Sequence, residues 1–217
     1  MTVASDAPPT RVRSAVPTPA AALAGNVLLA AFYLVFVFHH VAFARQTGAW
    51  ATTTPLVVQE SILVPLILTR RRSTATSRSP LDWIVGVGGT FLPLLMRATE
   101  TTSPFRPVGQ ILQIVGLSLV ILSILFLGRS FGLVAAHRGI KTVGTYAVVR
   151  HPMYGAYMVS QIGYVLVHPS PWNVAIALIT CGGLALRAAL EERLLARDPV
   201  YERYRRRVRW RFVPYFC

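Results

Sequence analysis

Long apolar stretches, separated by arginines and by turns that contain glycine or proline, dominate the pattern of hydrophobic and polar positions. Six such stretches follow one another, at 20–44, 51–69, 81–96, 108–127, 154–167 and 172–190. An α-helix needs about 20 mostly apolar residues to cross the ~30 Å hydrocarbon core of a bilayer. The first and fourth stretches meet this length clearly, and the others are shorter or carry Gly, Pro or Glu. The pattern predicts an all-α, polytopic membrane bundle of about six transmembrane helices.

The end of the chain departs from this plain apolar pattern. A short HPSP turn at 168–171 joins the last two stretches, which predicts a helical hairpin. Asp198 and Pro199 form a good N-cap and first-turn pair for one more helix. Aromatic and apolar residues recur on one face of that helix with arginines opposite, at Tyr201, Tyr204 and Val208. This predicts an interfacial helix against anionic headgroups, and a polybasic anchor is the alternative.

Composition and charge support the membrane class. Hydrophobic residues make up 53% of the 217 residues and charged residues only 14%, against about 25% in soluble domains. The net charge of +14 does not indicate a nucleic-acid binder, because the basic residues alternate with apolar runs instead of lining one face. Two cysteines form neither a disulfide framework nor a metal cluster.

The arginines predict an orientation. If the N-terminus is cytoplasmic and all six stretches cross, 19 of the 22 Lys and Arg residues lie on the cytoplasmic side. The positive-inside rule therefore predicts cytoplasmic N- and C-termini. A single lysine beside 21 arginines suggests a GC-rich genome and favours a bacterial inner membrane.

Groups that bind or react collect between residues 128 and 154. Pro152 suits the first position of the fifth helix, whose free N–H groups and positive dipole end would attract a carboxylate or phosphate. Arg150 and His151 would lie at the mouth of that site, and Tyr154 one turn inside it. The alternative is an arginine and a tyrosine that anchor the helix at the interface.

Acidic residues at the end of the sixth helix complete this arrangement. Arg187 and Glu191 are four apart and share one helix face, and Glu192 follows. If the last two helices are antiparallel, Glu191 lies near His151. A helix N-terminus for an anion and a carboxylate for a cation would then suit a zwitterion with an α-amino acid end. Snorkelling of Arg187 to the interface is the alternative.

The histidines do not predict a metal site. His39 and His40 are adjacent and point in different directions, so they cannot chelate as a pair spaced by four would. The chain holds no HExxH or CxxC motif. Because intramembrane histidines are usually functional, His39 or His40 is expected to line a substrate cavity.

Four segments together resemble the isoprenylcysteine carboxyl methyltransferase and phospholipid methyltransferase superfamily. They are LGRSFG at 127–132, KTVGTYAVVRHPMYGAY at 141–157, EERLL at 191–195 and DPVYERYRRRVRWRFVP at 198–214. These are integral membrane enzymes that use S-adenosylmethionine. The resemblance implies a methyltransferase core at 127–217, preceded by variable transmembrane helices at 20–126. The Pro-, Ala- and Thr-rich composition of residues 1–19 predicts a disordered segment.

The resemblance also implies roles for single residues. The cofactor would contact Arg138, Gly139, Ile140, Lys141, Tyr146, His151, Pro152, Met153, Tyr154 and Glu191. The lipid substrate would contact Arg187, which would orient a carboxylate acceptor. For an acceptor that must first lose a proton, the chemistry of methyl transfer offers Glu192 or a tyrosine as the assisting group. Thr145 replaces the proline usual in the turn before Tyr146, and Ala147 replaces a residue that is often aromatic or basic.

The function expected from the resemblance is methyl transfer from S-adenosylmethionine to a lipophilic acceptor at the cytoplasmic membrane face. An isoprenylcysteine-type carboxylate, a phospholipid amine and a thiol are all compatible acceptors. Membrane lipids are the other expected partners, with no nucleic acid and no obligate protein partner. A non-catalytic small transporter subunit or basic-tailed anchor is the alternative. A transporter would show internal pseudo-symmetry, whereas the polar groups here concentrate at one membrane face.

Overall fold

The structure is a computed structural model. It describes residues 14–15, 18–48, 50–69, 75–77, 79–99, 103–130, 136–137, 140–196 and 198–215. Within these ranges the chain forms seven α-helices: α1 (Pro19–Thr47), α2 (Trp50–Leu68), α3 (Pro80–Phe91), α4 (Arg106–Leu127), α5 (Pro152–Val167), α6 (Pro171–Leu195) and α7 (Pro199–Arg207). The predicted helical class is confirmed.

Three of the helices in the described ranges, α1, α4 and α6, are long and apolar enough to cross a membrane. Many of their large apolar side chains point outward, such as Leu28, Phe38 and Leu178, each about 70% exposed. An apolar exterior of this extent suits a lipid environment rather than water. α2, α3 and α5 are shorter than these three, and α3 passes at Phe91 into a 3₁₀ turn that contains Pro93.

The closest helix pair is α4 with α5, and small residues allow it. A Cβ on Gly116 would overlap the backbone of Ser160, and a Cβ on Gly163 would overlap the backbone of Gly109. Close backbone approach at small residues is how membrane helices gain packing energy without a hydrophobic driving force. This pair therefore forms the rigid support on which the start of α5 is held.

The apolar core lies where α1, α2, α4, α5 and α6 meet. Its buried members include Ala30, Leu63, Val120, Ile124, Met153 and Leu184. Tyr33 and Tyr157 pack against this cluster from its edge. The core therefore carries two phenol groups beside purely apolar side chains.

A small antiparallel sheet, which the all-α prediction did not include, joins three segments outside the helices. β1 (Ser14–Ala15) pairs with β2 (Ala75–Ser77), and β2 pairs with β3 (Ala136–His137). These strands precede α1, connect α2 to α3 and connect α4 to α5, respectively. The three segments therefore meet at the same end of the bundle.

The turn between α5 and α6 holds the segment that follows α3. The side chain of Asn173, fully buried, accepts from Arg97 N (2.9 Å) and donates to Arg97 O and His168 O (both 2.8 Å). Trp172 Nε1 donates to Leu95 O at 2.8 Å. These bonds fix the end of the bundle away from the start of α5.

α7 begins at the predicted N-cap, where the Asp198 side chain accepts from Val200 N at 2.7 Å. Its aromatic face is covered by protein. Tyr201, Tyr204 and Val208 are buried together and pack against Ile140 and Leu195. The interfacial position of α7, with its arginines toward headgroups, stays a prediction.

Candidate functional site

The site begins with the segment that leads into α5. Val149 forms a parallel bridge with Trp210. Arg150 N donates to Trp210 O (2.9 Å) and His151 N donates to Arg211 O (2.7 Å). The C-terminal segment therefore lies beside the start of α5, where His151 is the N-cap residue and Pro152 the first helical residue.

Glu192 contacts two arginines and a histidine at this point. Its carboxylate accepts from Arg150 Nε (2.9 Å), from Arg211 Nη2 (2.8 Å) and pairs with His151 Nε2 (3.2 Å). The residue is only 5% exposed. A buried carboxylate needs such partners to remain charged. Glu192 therefore ties the end of α6 to the start of α5 and to the C-terminal segment.

Glu191, next to it, faces a different set of groups. It accepts from Tyr154 OH (2.6 Å) and pairs with Arg187 Nε (3.2 Å), and His151 Nδ1 lies 3.9 Å away. The expected proximity of Glu191 and His151 is therefore present. The side chain of Glu191 is 21% exposed, so this carboxylate is reachable from outside the bundle.

Aromatic rings line the same place. The His151 and Tyr154 rings stack with centroids 5.5 Å apart and an interplanar angle of 8°. The guanidinium of Arg187, which is 6% exposed, lies 5.1 Å from the centre of the Tyr154 ring. The arginine is thus held by a carboxylate and a π face, both of which stabilise its charge.

Tyr146 is placed by a 3₁₀ turn, Gly144–Ala147, in which Gly144 has φ of +61°. A Cβ on Gly144 would also overlap the ring of Phe126, so the turn requires glycine on both counts. Tyr204 OH donates to Tyr146 O at 2.7 Å. Burial, and next the charge of Glu191, raise the pKa of the Tyr146 phenol, which therefore stays protonated.

The structure brings five predicted site residues together: His151, Tyr154, Arg187, Glu191 and Glu192. It places Met153 in the apolar core, and Ile140 against the tyrosines of α7. Lys141 is partly buried. Arg138 and Gly139 lie outside the described residues.

One contributor was not foreseen from the sequence: Arg211, at the end of the basic segment, binds Glu192. Arg150 was expected at the mouth of the site, and besides Glu192 its side chain binds the C-terminal segment, because Nη1 donates to Val208 O (2.9 Å) and Arg209 O (2.7 Å). The alternation of basic and aromatic residues over 209–212 is typical of an extended segment and was the available signal.

In the described ranges, no group of three or more His, Cys, Asp or Glu side chains is placed to hold a metal ion. The site is therefore described by its ion pairs and aromatic rings.

An apolar helical bundle with a buried, mixed-charge cluster at one end defines an integral membrane protein with a polar site at that end. Residues 105–198, somewhat under half of the chain, match the family model described as phospholipid methyltransferase. This match confirms the resemblance seen in the sequence and indicates a membrane methyltransferase. No curated protein matches the chain.

Proposed function

We propose that this protein transfers a methyl group from S-adenosylmethionine to a lipophilic acceptor at the cytoplasmic face of a membrane, in bacteria the inner membrane. The observation that carries the proposal is the position of Glu191. A reachable carboxylate lies at the start of α5, beside the stacked rings of His151 and Tyr154. The match to the phospholipid methyltransferase family lies over the same residues.

The chemistry of these groups fits the methyl donor. A carboxylate attracts the ammonium and sulfonium charges of S-adenosylmethionine, and the dipole end of α5 attracts its carboxylate. Aromatic rings suit its adenine. Residues that would hold it are Ile140, Lys141, Tyr146, His151, Pro152, Tyr154 and Glu191, with Arg138 and Gly139 in the preceding loop. Met153 would support the pocket from the core side.

When bound, S-adenosylmethionine would supply a methyl carbon on a positively charged sulfur, and a nucleophilic atom of the acceptor would attack that carbon in line with its bond to sulfur. Catalysis of such a step is mostly orientation and exclusion of water. In this proposal Arg187 orients the polar end of the acceptor next to Tyr154. Glu192 fixes the direction of the His151 ring. Because Arg150, Arg211 and His151 already contact its carboxylate, Glu192 acts as a positioning residue rather than as a proton acceptor.

The placement of the site at the cytoplasmic face rests on charge and on the small sheet. β1, β2 and β3 hold three connecting segments at one end of the bundle, which supports an even number of crossings between them. If all six predicted helices cross, the positive-inside rule puts both termini and the site in the cytoplasm, with α5 and α6 as a transmembrane hairpin.

The test is calorimetric titration of S-adenosylmethionine into the protein in lipid nanodiscs. We expect micromolar binding that weakens by about tenfold or more in His151→Ala and Glu191→Gln, the scale of a lost charged hydrogen bond. Glu202→Gln, which removes an exposed carboxylate of α7, is the matched control and should bind like the wild type.

Transfer of the labelled methyl group to a lipid extract of the host is the second measurement. A folded wild-type protein that neither binds the donor nor labels any lipid would overturn the proposal. Such a result would favour a membrane anchor or transporter subunit.

A further inference from the structure

A second ionisable pair lies inside the bundle, in the half of the chain that the family match does not cover. His40 of α1 and Glu60 of α2 approach to 3.0 Å between Nδ1 and Oε2. Their side chains are 18% and 9% exposed. Ionisable groups within membrane helices are costly and mark functional sites by default. The neighbouring His39 is exposed, and the centre of its ring lies 5.8 Å from that of His40.

Polar side chains connect this pair with the site at the start of α5. Gln59, adjacent to Glu60, donates from Nε2 to Tyr157 OH at 3.0 Å. Tyr157 lies three residues after Tyr154 and so on the same face of α5. The polar track therefore comprises His40, Glu60, Gln59 and Tyr157, and it reaches the face of α5 that carries Tyr154 at the site.

One member of the polar track, Gln59, has a side-chain oxygen that could accept a further hydrogen bond. Gln59 is 7% exposed, and its Oε1 has no hydrogen-bond partner in the described part of the chain. Buried acceptors without a donor are rare and are usually satisfied by a ligand or water. The side-chain oxygen of Gln59 and the carboxylate of Glu60 both accept hydrogen bonds, so together they suit a ligand group that donates from N–H, S–H or O–H.

We propose that His40 and Glu60 take up the proton of the methyl acceptor, which is therefore an amine or thiol rather than a carboxylate. This inference rests on the proposed function and assigns a part of it to α1 and α2. In this proposal Nδ1 of His40 donates to Glu60, and Nε2 is the atom that takes up the proton of the acceptor. A carboxylate that orients and supports an imidazole base is a common catalytic arrangement.

The ammonium or thiol proton of the acceptor passes to His40, and the imidazolium is stabilised by the Glu60 carboxylate. The lone pair on nitrogen or sulfur then forms the new bond to the methyl carbon as the donor's carbon–sulfur bond breaks. The electron pair of that bond stays on the donor sulfur. A carboxylate acceptor is already deprotonated and would need neither residue.

Other ionisable groups face this pair or its track and set the background for any pH dependence. They are His39 and Tyr33 on α1, Tyr157 on α5 and Arg187 on α6.

The experiment measures initial rates of methyl transfer between pH 5.5 and 9.5 in proteoliposomes. The probes are phosphatidylethanolamine, a long-chain alkanethiol and an S-prenylated cysteine with a free carboxylate. The proteins are the wild type, Glu60→Gln, His40→Gln and the matched control His39→Gln. Donor affinity is measured on each by calorimetry, which separates a failure of this inference from a failure of donor binding.

We expect Glu60→Gln and His40→Gln to keep the donor affinity and to lower kcat with the amine or thiol probe by about 10²-fold or more, as loss of a proton acceptor does. The loss should shrink as pH rises, because the acceptor then ionises without help. His39→Gln should match the wild type. If Glu60→Gln does not fold, His40→Gln and Tyr157→Phe carry the same test.

Three results would overturn the inference: an equal loss at every pH, no loss in either variant, or transfer only to the carboxylate probe. If the wild type binds no donor and methylates no probe, the proposed function fails and this inference fails with it.

Discussion

The backbone of Phe212 crosses Gly155 so closely that a side chain at residue 155 would overlap the Phe212 carbonyl oxygen. Gly155 lies in the first turn of α5, and Phe212 belongs to the C-terminal segment that accompanies it. Gly155 thus allows the C-terminal segment around Phe212 to lie against α5, whose first turn forms part of the site.

Gly155→Ala should displace the C-terminal segment and with it Arg211. Overpacking of this kind costs about 1–3 kcal/mol. We expect a lower thermal midpoint in detergent and weaker binding of S-adenosylmethionine. Gly182→Ala is the matched control, because a Cβ there meets nothing within 4 Å. Equal behaviour of the two variants would contradict the close crossing at Phe212.

Glu192→Gln should destabilise the fold more than Arg211→Ala. The glutamine leaves the largely buried Arg150 without its anion, and breaking one side of a buried pair costs about 3–5 kcal/mol. Arg211 is 41% exposed, so water replaces much of what its loss removes, and about 1 kcal/mol is expected. Denaturant unfolding of both variants and of the double variant measures the coupling. Additive losses would show that the two side chains do not interact.

Tyr204→Phe should cost about 1 kcal/mol, because it leaves the buried Tyr146 carbonyl without its donor. Burial raises the pKa of Tyr204, so the phenol keeps its proton in the folded state. Because folding raises this pKa, the stability that the protonated Tyr204 phenol contributes is fully present below the ordinary phenol pKa, and it is lost only as pH rises above that value. Thermal midpoints at pH 7 and pH 9 should therefore show the same deficit. Tyr215→Phe, at an 87% exposed residue, is the control and should be neutral.

Asn173→Ala should cost about 2–3 kcal/mol, since it removes three hydrogen bonds of a fully buried amide. Because these bonds lie at the other end of α5 and α6, donor affinity should not change. Faster proteolysis between α3 and α4, with unchanged calorimetric binding, is the expected result. A parallel loss of donor affinity would show that the two ends of the bundle are coupled.

The helices, and the residue at which α5 begins, were predictable from the sequence, because the signals that mark them lie in neighbouring residues. Pro152 suits only the first turn of a helix, and Asp198-Pro199 marks another start. The spacing of four between Arg187 and Glu191 places them on one face, and they do interact at 3.2 Å. Hydrophobic periodicity and helix capping involve residues close together in sequence, so they can be recognised from one sequence alone.

Other features depend on residues far apart in sequence, so no local signal reveals them. Arg211 resembles every other arginine of a basic tail until the C-terminal segment reaches Glu192. Tyr201 and Tyr204 have the spacing of an interfacial helix, and only the fold shows that Ile140 and Leu195 cover them. The pairing of His40 with Glu60 required α1 and α2 to pack at a particular register.

The sequence by itself determined a helical membrane protein, its resemblance to membrane methyltransferases and the local start of α5, because hydrophobicity, capping and motif order are properties of short segments. The tertiary structure alone decided which charges meet. Glu191 and Glu192 are adjacent in sequence, yet one is reachable beside Tyr154 and the other is enclosed by cations. That difference arises because a helix directs consecutive side chains about 100° apart, toward different neighbours.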